Sequence, residues 1–178
     1  NPYVLGAVFL PFAAALLIIL MPARWAEPWS WIGSLTTAGC VAMLPGTVLD
    51  GSAPGWSLFR WAPGVSLELR VDALGITFGC LAAGLWVITT LYSCGYVRAE
   101  NMRSRKRYYA AFAGAIGTAV GVAFSSNLLT FLLFYELLTL TTWPLVVHKE
   151  TPEAIAGGRR YLVYTLLGGL VLTVAVAW

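Results

Sequence analysis

Residues 127–147 read NLLTFLLFYELLTLTTWPLVV, and the fold turns on this run. At ~1.5 Å per residue it is long enough to cross a hydrocarbon slab of ~30 Å. Its one carboxylate, Glu136, falls roughly 13–16 Å from either end, near the midplane of such a slab. A charge there costs at least ~2.5–3.5 kcal/mol on insertion scales, so residues of this kind usually line a polar path or pair with another charge. Thr139, Thr141 and Thr142 follow, and then Trp143-Pro144. Pro144 cannot donate to the carbonyl of Leu140, which leaves an acceptor for water or a side chain. Threonines beside a freed carbonyl suit a short water chain. In the blander reading, Glu136 is neutral and bonds across a helix interface, with the threonines as packing glue. Either way, Glu136 should face protein or a wet cavity, together with Leu132, Leu133, Thr139, Leu140 and Trp143.

Composition agrees with a membrane setting. The chain of 178 residues is 59% hydrophobic and 11% charged, with a mean hydropathy of +0.77. That places it among polytopic membrane proteins. The first apolar stretch is too long and too weakly basic at its start for a secretory signal. Six spans are expected, at about 3–21, 29–49, 72–97, 108–124, 128–147 and 161–178, forming one all-α transmembrane domain over 1–178. The one long polar link, 50–70, carries SLFRW and SLELRV around Ala62-Pro63-Gly64. This alternation predicts a small β-hairpin at the membrane surface. The sequence opens at Asn1 rather than Met and stops at Trp178 within an apolar run, so a segment of a longer subunit is expected.

Charge sets a direction. If the spans alternate, one side collects Arg24, Arg98, Arg103, Arg105, Lys106, Arg107, Lys149, Arg159 and Arg160, while the other holds Arg60 and Arg70. The excess marks the cytoplasmic side, with the hairpin outward. The basic loop 98–107 is a topology determinant or a contact for anionic lipid or a partner. Of the eight acids, Glu27, Asp50, Glu68, Glu100, Glu150 and Glu153 fall in loops. Asp72 opens the third span as a helix N-cap, and Glu136 remains in the slab.

Other candidates are weaker. Tyr161, Tyr164 and Thr165 put hydroxyls along one side of the sixth span, and Gly157–Gly158 and Gly168–Gly169 permit close backbone approach. His148, the one histidine, lies at the mouth of the Glu136 helix, where its titration range suits proton entry and a solvated loop residue is the plainer account. Cys40, Cys80 and Cys94 show no metal-ligand spacing and read as small buried hydrophobes. No cofactor, metal, nucleotide or nucleic-acid motif is present, and no nucleophile–base pair or redox centre.

The residues around Glu136 resemble a known family. Phe134-Tyr135-Glu136-Leu137, with threonines after it, matches the F-[WY]-E-L pattern of the antiporter-like proton-conducting subunits. These are shared by respiratory complex I, Mrp-type cation/proton antiporters and membrane-bound hydrogenases. RVDALG, from Arg70 to Gly75, looks like that family's entry to its third helix. The resemblance implies a subunit of roughly fourteen helices built on inverted repeats, in which the fifth-helix glutamate pairs with a lysine on a broken seventh helix beyond this chain. It implies that Glu136 is the main proton-translocation residue, with Thr139, Tyr164 and His148 as further candidates. The implied partners are other membrane subunits, the lipid bilayer, H+ and Na+ or another monovalent cation, in a bacterial inner membrane. WPLVVHKETPEA looks most like the D-type Mrp subunit. The alternatives are a pumping subunit of complex I or of a related hydrogenase or carbon-uptake complex, and a scaffold subunit in which Glu136 is static. In each, any electron chemistry belongs to other subunits.

Overall fold

The computed structural model describes residues 1–62, 65–99 and 104–177. The expected turn residues Pro63 and Gly64, loop residues 100–103 and Trp178 lie outside the described residues. The chain runs α1 (Pro2–Leu20), a 3-10 turn (Ala23–Trp25), α2 (Ala26–Ala42), a short α3 (Pro45–Leu49), β1 (Gly55–Ala62), β2 (Val65–Arg70), α4 (Ala73–Ala99), α5 (Arg105–Ala123), α6 (Leu128–Val146) and α7 (Pro152–Ala177). Five segments among the described residues are long and apolar enough to cross a membrane: 2–20, 23–49, 73–99, 128–146 and 152–176. They correspond to five of the six expected spans. The sixth, α5, opens with Arg105, Lys106 and Arg107 and continues in alanine and glycine, and so is less apolar.

The position of α5 explains its composition. It packs against α1, α6, α4 and α2 and so occupies the middle of the bundle. A central helix needs a narrow surface more than an apolar one, because neighbouring helices cover it. A methyl group at Gly121 would overlap the Phe134 ring of α6. At Gly117 it would lie 3.0 Å from Phe12 Cε2 of α1, and at Gly114 3.1 Å from Thr141 Cγ2 of α6.

Two boundaries differ from expectation, each for a local reason. The second span is broken after Ala42, because Pro45 cannot donate back into the helix and α3 starts afresh with proline in its first turn. The last helix begins at Pro152, well before the expected 161. Thr151 accepts the Ala154 amide through its side chain (3.2 Å) and the Ile155 amide through its carbonyl (2.9 Å), and this cap starts the helix. Asp72 caps α4 as expected, its Oδ1 accepting from Gly75 N at 2.6 Å.

The hairpin is antiparallel, pairing Gly55 with Arg70 and Trp56 with Leu69, with irregularities between Ser57 and Phe59 and between Arg60 and Ala62. It is stitched to the α5–α6 turn. Arg70 N donates to Phe124 O (2.7 Å), Ser126 N to Glu68 O (3.0 Å), and Leu69 bridges Ser125. From α6, Thr130 Oγ1 accepts from Glu68 N at 3.0 Å, while Asn127 Nδ2 donates to Ser66 O at 2.8 Å. Leu69 and Val71 are buried with Val4, Val8, Leu44 and Phe124 beneath this end of the bundle. The opposite end collects charge: Arg98 bonds Glu27 at 2.6 Å, and Arg107 pairs with Glu150. The hairpin and the basic residues therefore cap opposite ends, as alternating spans require.

Candidate functional site

Glu136 sits in the middle of α6, half-buried. Helical periodicity gives α6 two working sides. Phe134 and Thr130 are buried, and Phe134 meets Gly121 of α5. Glu136 turns instead to α7. A methyl group at Gly169 would overlap its Oε1 and lie 2.7 Å from its carboxyl carbon, so the carboxyl group rests directly on the α7 backbone. The next position, Gly168, approaches the Tyr135 hydroxyl in the same way, at 3.4 Å. Further along, Thr142 Oγ1 and the Tyr161 hydroxyl lie 2.7 Å apart, and a methyl group at Gly158 would overlap Val147 and lie 3.2 Å from Trp143 Nε1. The α6–α7 seam is thus a line of glycines and hydroxyls with one carboxyl group in it. Among the described residues Glu136 has neither a hydrogen bond nor an ion pair.

The expected companions separate. Thr139 is buried on α6 and Trp143 joins the seam, but Leu133 and Leu140 are exposed, at 41% and 56%. These two leucines do not share the Glu136 contact, because α7 covers only one flank of α6. The threonines turn back on their own helix: Thr141 Oγ1 donates to Leu137 O (2.9 Å), Thr142 Oγ1 to Leu138 O (2.7 Å), and Thr139 Oγ1 lies 3.5 Å from Tyr135 O. Thr141 Oγ1 also lies 3.3 Å from Thr118 Oγ1 of α5. Thr118 escaped sequence reading. Its only signal was a hydroxyl between the glycines of α5.

Tyr164 is 75% exposed on α7. His148 stands in the turn after α6 but on the α5 side. Its ring meets Tyr108 edge-on at 5.6 Å, and its carbonyl accepts from Arg107 Nη2 at 3.0 Å. Burial, and then the Arg107 charge, hold its imidazole below the ordinary value, with Glu150 opposing. Neither residue is brought to Glu136. Among the described residues, no group of three or more histidine, cysteine or acidic side chains could hold a metal ion.

This architecture, an apolar helical bundle with a carboxyl group inside one helix seam and a hairpin over one end, defines a class of multi-pass membrane protein. No family model matches the chain. It is similar to the A/B subunit of a probable K(+)/H(+) antiporter of Rhizobium meliloti (strain 1021), 27% identical over 174 residues, 95% of this chain and 17% of that protein. It is also similar to the A1 subunit of a Na(+)/H(+) antiporter of Staphylococcus aureus (strain JH9), 33% identical over 117 residues, 64% of this chain and 14% of that protein. The chain thus spans less than a fifth of the length of these relatives. Its fold matches a chain of the membrane-bound sulfane sulfur reductase, an archaeal respiratory complex (TM-score 0.84, 18% identical, 99% of this chain and 37% of that one). It also matches a chain of the Mrp complex of Dietzia sp. DQ12-45-1b (TM-score 0.78, 18% identical, 98% and 33%). In sequence the chain is thus similar to antiporter subunits, and in fold to membrane chains of a respiratory complex and of an Mrp complex. Both antiporter relatives are A-type, so the D-type leaning of residues 143–154 is not carried further.

Proposed function

We propose that this chain forms part of a subunit of an Mrp-type monovalent cation/proton antiporter, and that Glu136 is its protonatable group. The observation that carries the reading is a carboxyl group in the middle of an apolar helix, pressed on Gly169 and without a polar partner among the described residues. A carboxyl group can take up and release a proton, and a cation that approaches and withdraws is the partner that would drive the exchange. Glu136 then takes up a proton when a neighbouring cationic group, a lysine elsewhere in the assembly, withdraws, and releases it when that group returns. The Thr142–Tyr161 pair, which joins α6 to α7, lines the approach.

In this reading α5 is the sixth span, shielded by its neighbours. The hairpin faces outward and the Arg98–Glu27 and Arg107–Glu150 pairs face the cytoplasm of a bacterial cell. The exchanged cation is monovalent, and the names of the relatives suggest K+ or Na+. A static scaffold role for Glu136 makes the opposite prediction. Glu136→Gln in the complete complex should assemble normally, since neutral Glu and Gln have similar burial costs, and should lose most proton-coupled transport in sealed vesicles. Glu136→Asp keeps the titrating group but shortens its reach, and should retain part of the rate. Wild-type rates in the Gln variant would leave only the scaffold role.

A further inference from the structure

A crevice of about 510 Å³ opens between α1 and α6 over the surface of α5, away from the Glu136 seam. Its walls are Phe12 and Ile19 of α1, Ala111 and Gly114 of α5, and Leu140 and Pro144 of α6, and its rim at the basic end is Lys106 and Arg107. The cations at this end of α5 stand out. Arg105, Lys106 and Arg107 occupy the first turn of α5, where the helix dipole already presents positive charge. Asn side chains cap α1 and α6, but Ser104 makes no side-chain cap for α5. Among the described residues Arg105 and Lys106 have no ion-pair partner. Arg107 is held by Glu150 and by the His148 carbonyl, which leaves its Nε buried with no acceptor.

A basic rim over an apolar slot is complementary to a molecule with an anionic head and a hydrocarbon tail. We propose that this crevice binds one anionic phospholipid, its phosphate at Lys106 and Arg107 and one acyl chain laid between α1 and α6. A free phosphate would leave the slot unfilled. A zwitterionic lipid would leave the excess cations uncompensated. The site lies at the charged end of the bundle, where the headgroup region belongs if the basic side is an interface, and the slot descends from it by roughly 10 Å along α5 from Arg107 to Gly114. The inference is independent of the proton role of Glu136.

Native mass spectrometry of the complete complex, titrated in detergent with phosphatidylglycerol or phosphatidylcholine, tests it. Wild type should retain phosphatidylglycerol preferentially. The double variant Arg105→Gln/Lys106→Gln changes only exposed or half-exposed side chains, and should lower that affinity by about fivefold for each cation removed. Ala111→Phe fills the slot and should weaken phosphatidylglycerol severalfold without altering the elution volume of the complex. Equal retention of phosphatidylcholine, or phosphatidylglycerol binding unchanged in both variants, overturns the proposal. So does displacement of the lipid by inorganic phosphate, which would mark a headgroup-only anion site. A cysteine introduced by Ala111→Cys that stays shielded from maleimide after delipidation would assign the slot to a protein neighbour and overturn it as well.

Discussion

The two sides of α6 solve the same steric problem with opposite chemistry. On one, Phe134 enters the space left by Gly121 of α5; on the other, Glu136 enters the space left by Gly169 of α7. The first contact is apolar, central and rigid, because an aromatic ring fixed between two helices has nowhere to move. The second puts a flexible polar side chain at the edge of the bundle, where α7 packs chiefly on α6. Two residues apart in sequence, these positions separate what holds the helix from what the helix carries.

Parallel substitutions in the two glycines should break this symmetry. Gly121→Val drives a branched side chain into the Phe134 ring and should cost about 1–3 kcal/mol or more by overpacking, seen as loss of assembled protein or a lowered Tm. Gly169→Ala meets the end of a side chain that can swing aside, and replacing glycine within a helix returns up to about 1 kcal/mol of propensity. Its Tm should therefore change little, while vesicle transport falls because the carboxyl group has been moved. If both variants lose stability alike, the α7 seam is structural packing and the comparison fails.

A smaller effect is expected where the hairpin meets α6. Asn127 accepts the Thr130 amide at 2.8 Å and donates to Ser66 O. Asn127→Ala should cost about 1 kcal/mol for the cap and a similar amount, about 1 kcal/mol, for the second bond. Because this loss falls at the Phe134 end of α6, it should lower Tm and raise hydrogen exchange in residues 65–70 while transport per assembled complex stays constant. A transport loss exceeding the assembly loss would show that the hairpin end and the Glu136 seam are coupled.

Much of this was legible in the sequence alone. Glu136 stood out because a carboxyl group within an apolar run has few physical excuses, and the alternation in 55–70 was enough to name a hairpin. What sequence could not supply was neighbours. Gly168 and Gly169 read as small-residue packing, and only the antiparallel register of α6 and α7 sets them against Tyr135 and Glu136. The centrality of α5 was hidden by its modest hydropathy, though the spacing of Gly114, Gly117 and Gly121 encodes it. Nothing in Ser125-Ser126-Asn127 announces the pairing with β2, because a backbone that pairs with a distant strand leaves no mark in its side chains. Leu133 and Leu140 were grouped with Glu136 because the period of a helix does not say which flank a neighbour covers.

The smallest expected effect tests which side of α6 owns His148. Its position at the end of the Glu136 helix suggested proton entry, yet its contacts are Tyr108 and Arg107, both of α5, with Glu150 beside them. Its imidazole is held below the ordinary value of about 6.5, so as pH falls the unfolded chain binds this proton first. The stability that the neutral ring contributes is complete above pH ~6.5 and is lost as pH drops through the lower folded-state value. His148→Gln keeps a polar side chain and removes the titration. It should flatten the decline of Tm between about pH 7 and 5 relative to wild type, and it should leave transport rates and their pH profile as they were. The difference between the two curves isolates His148 from the carboxylates that titrate in both. A transport loss in His148→Gln as deep as that in Glu136→Gln would move the histidine onto the functional side, and α6 would then carry its proton path around its end rather than along one flank.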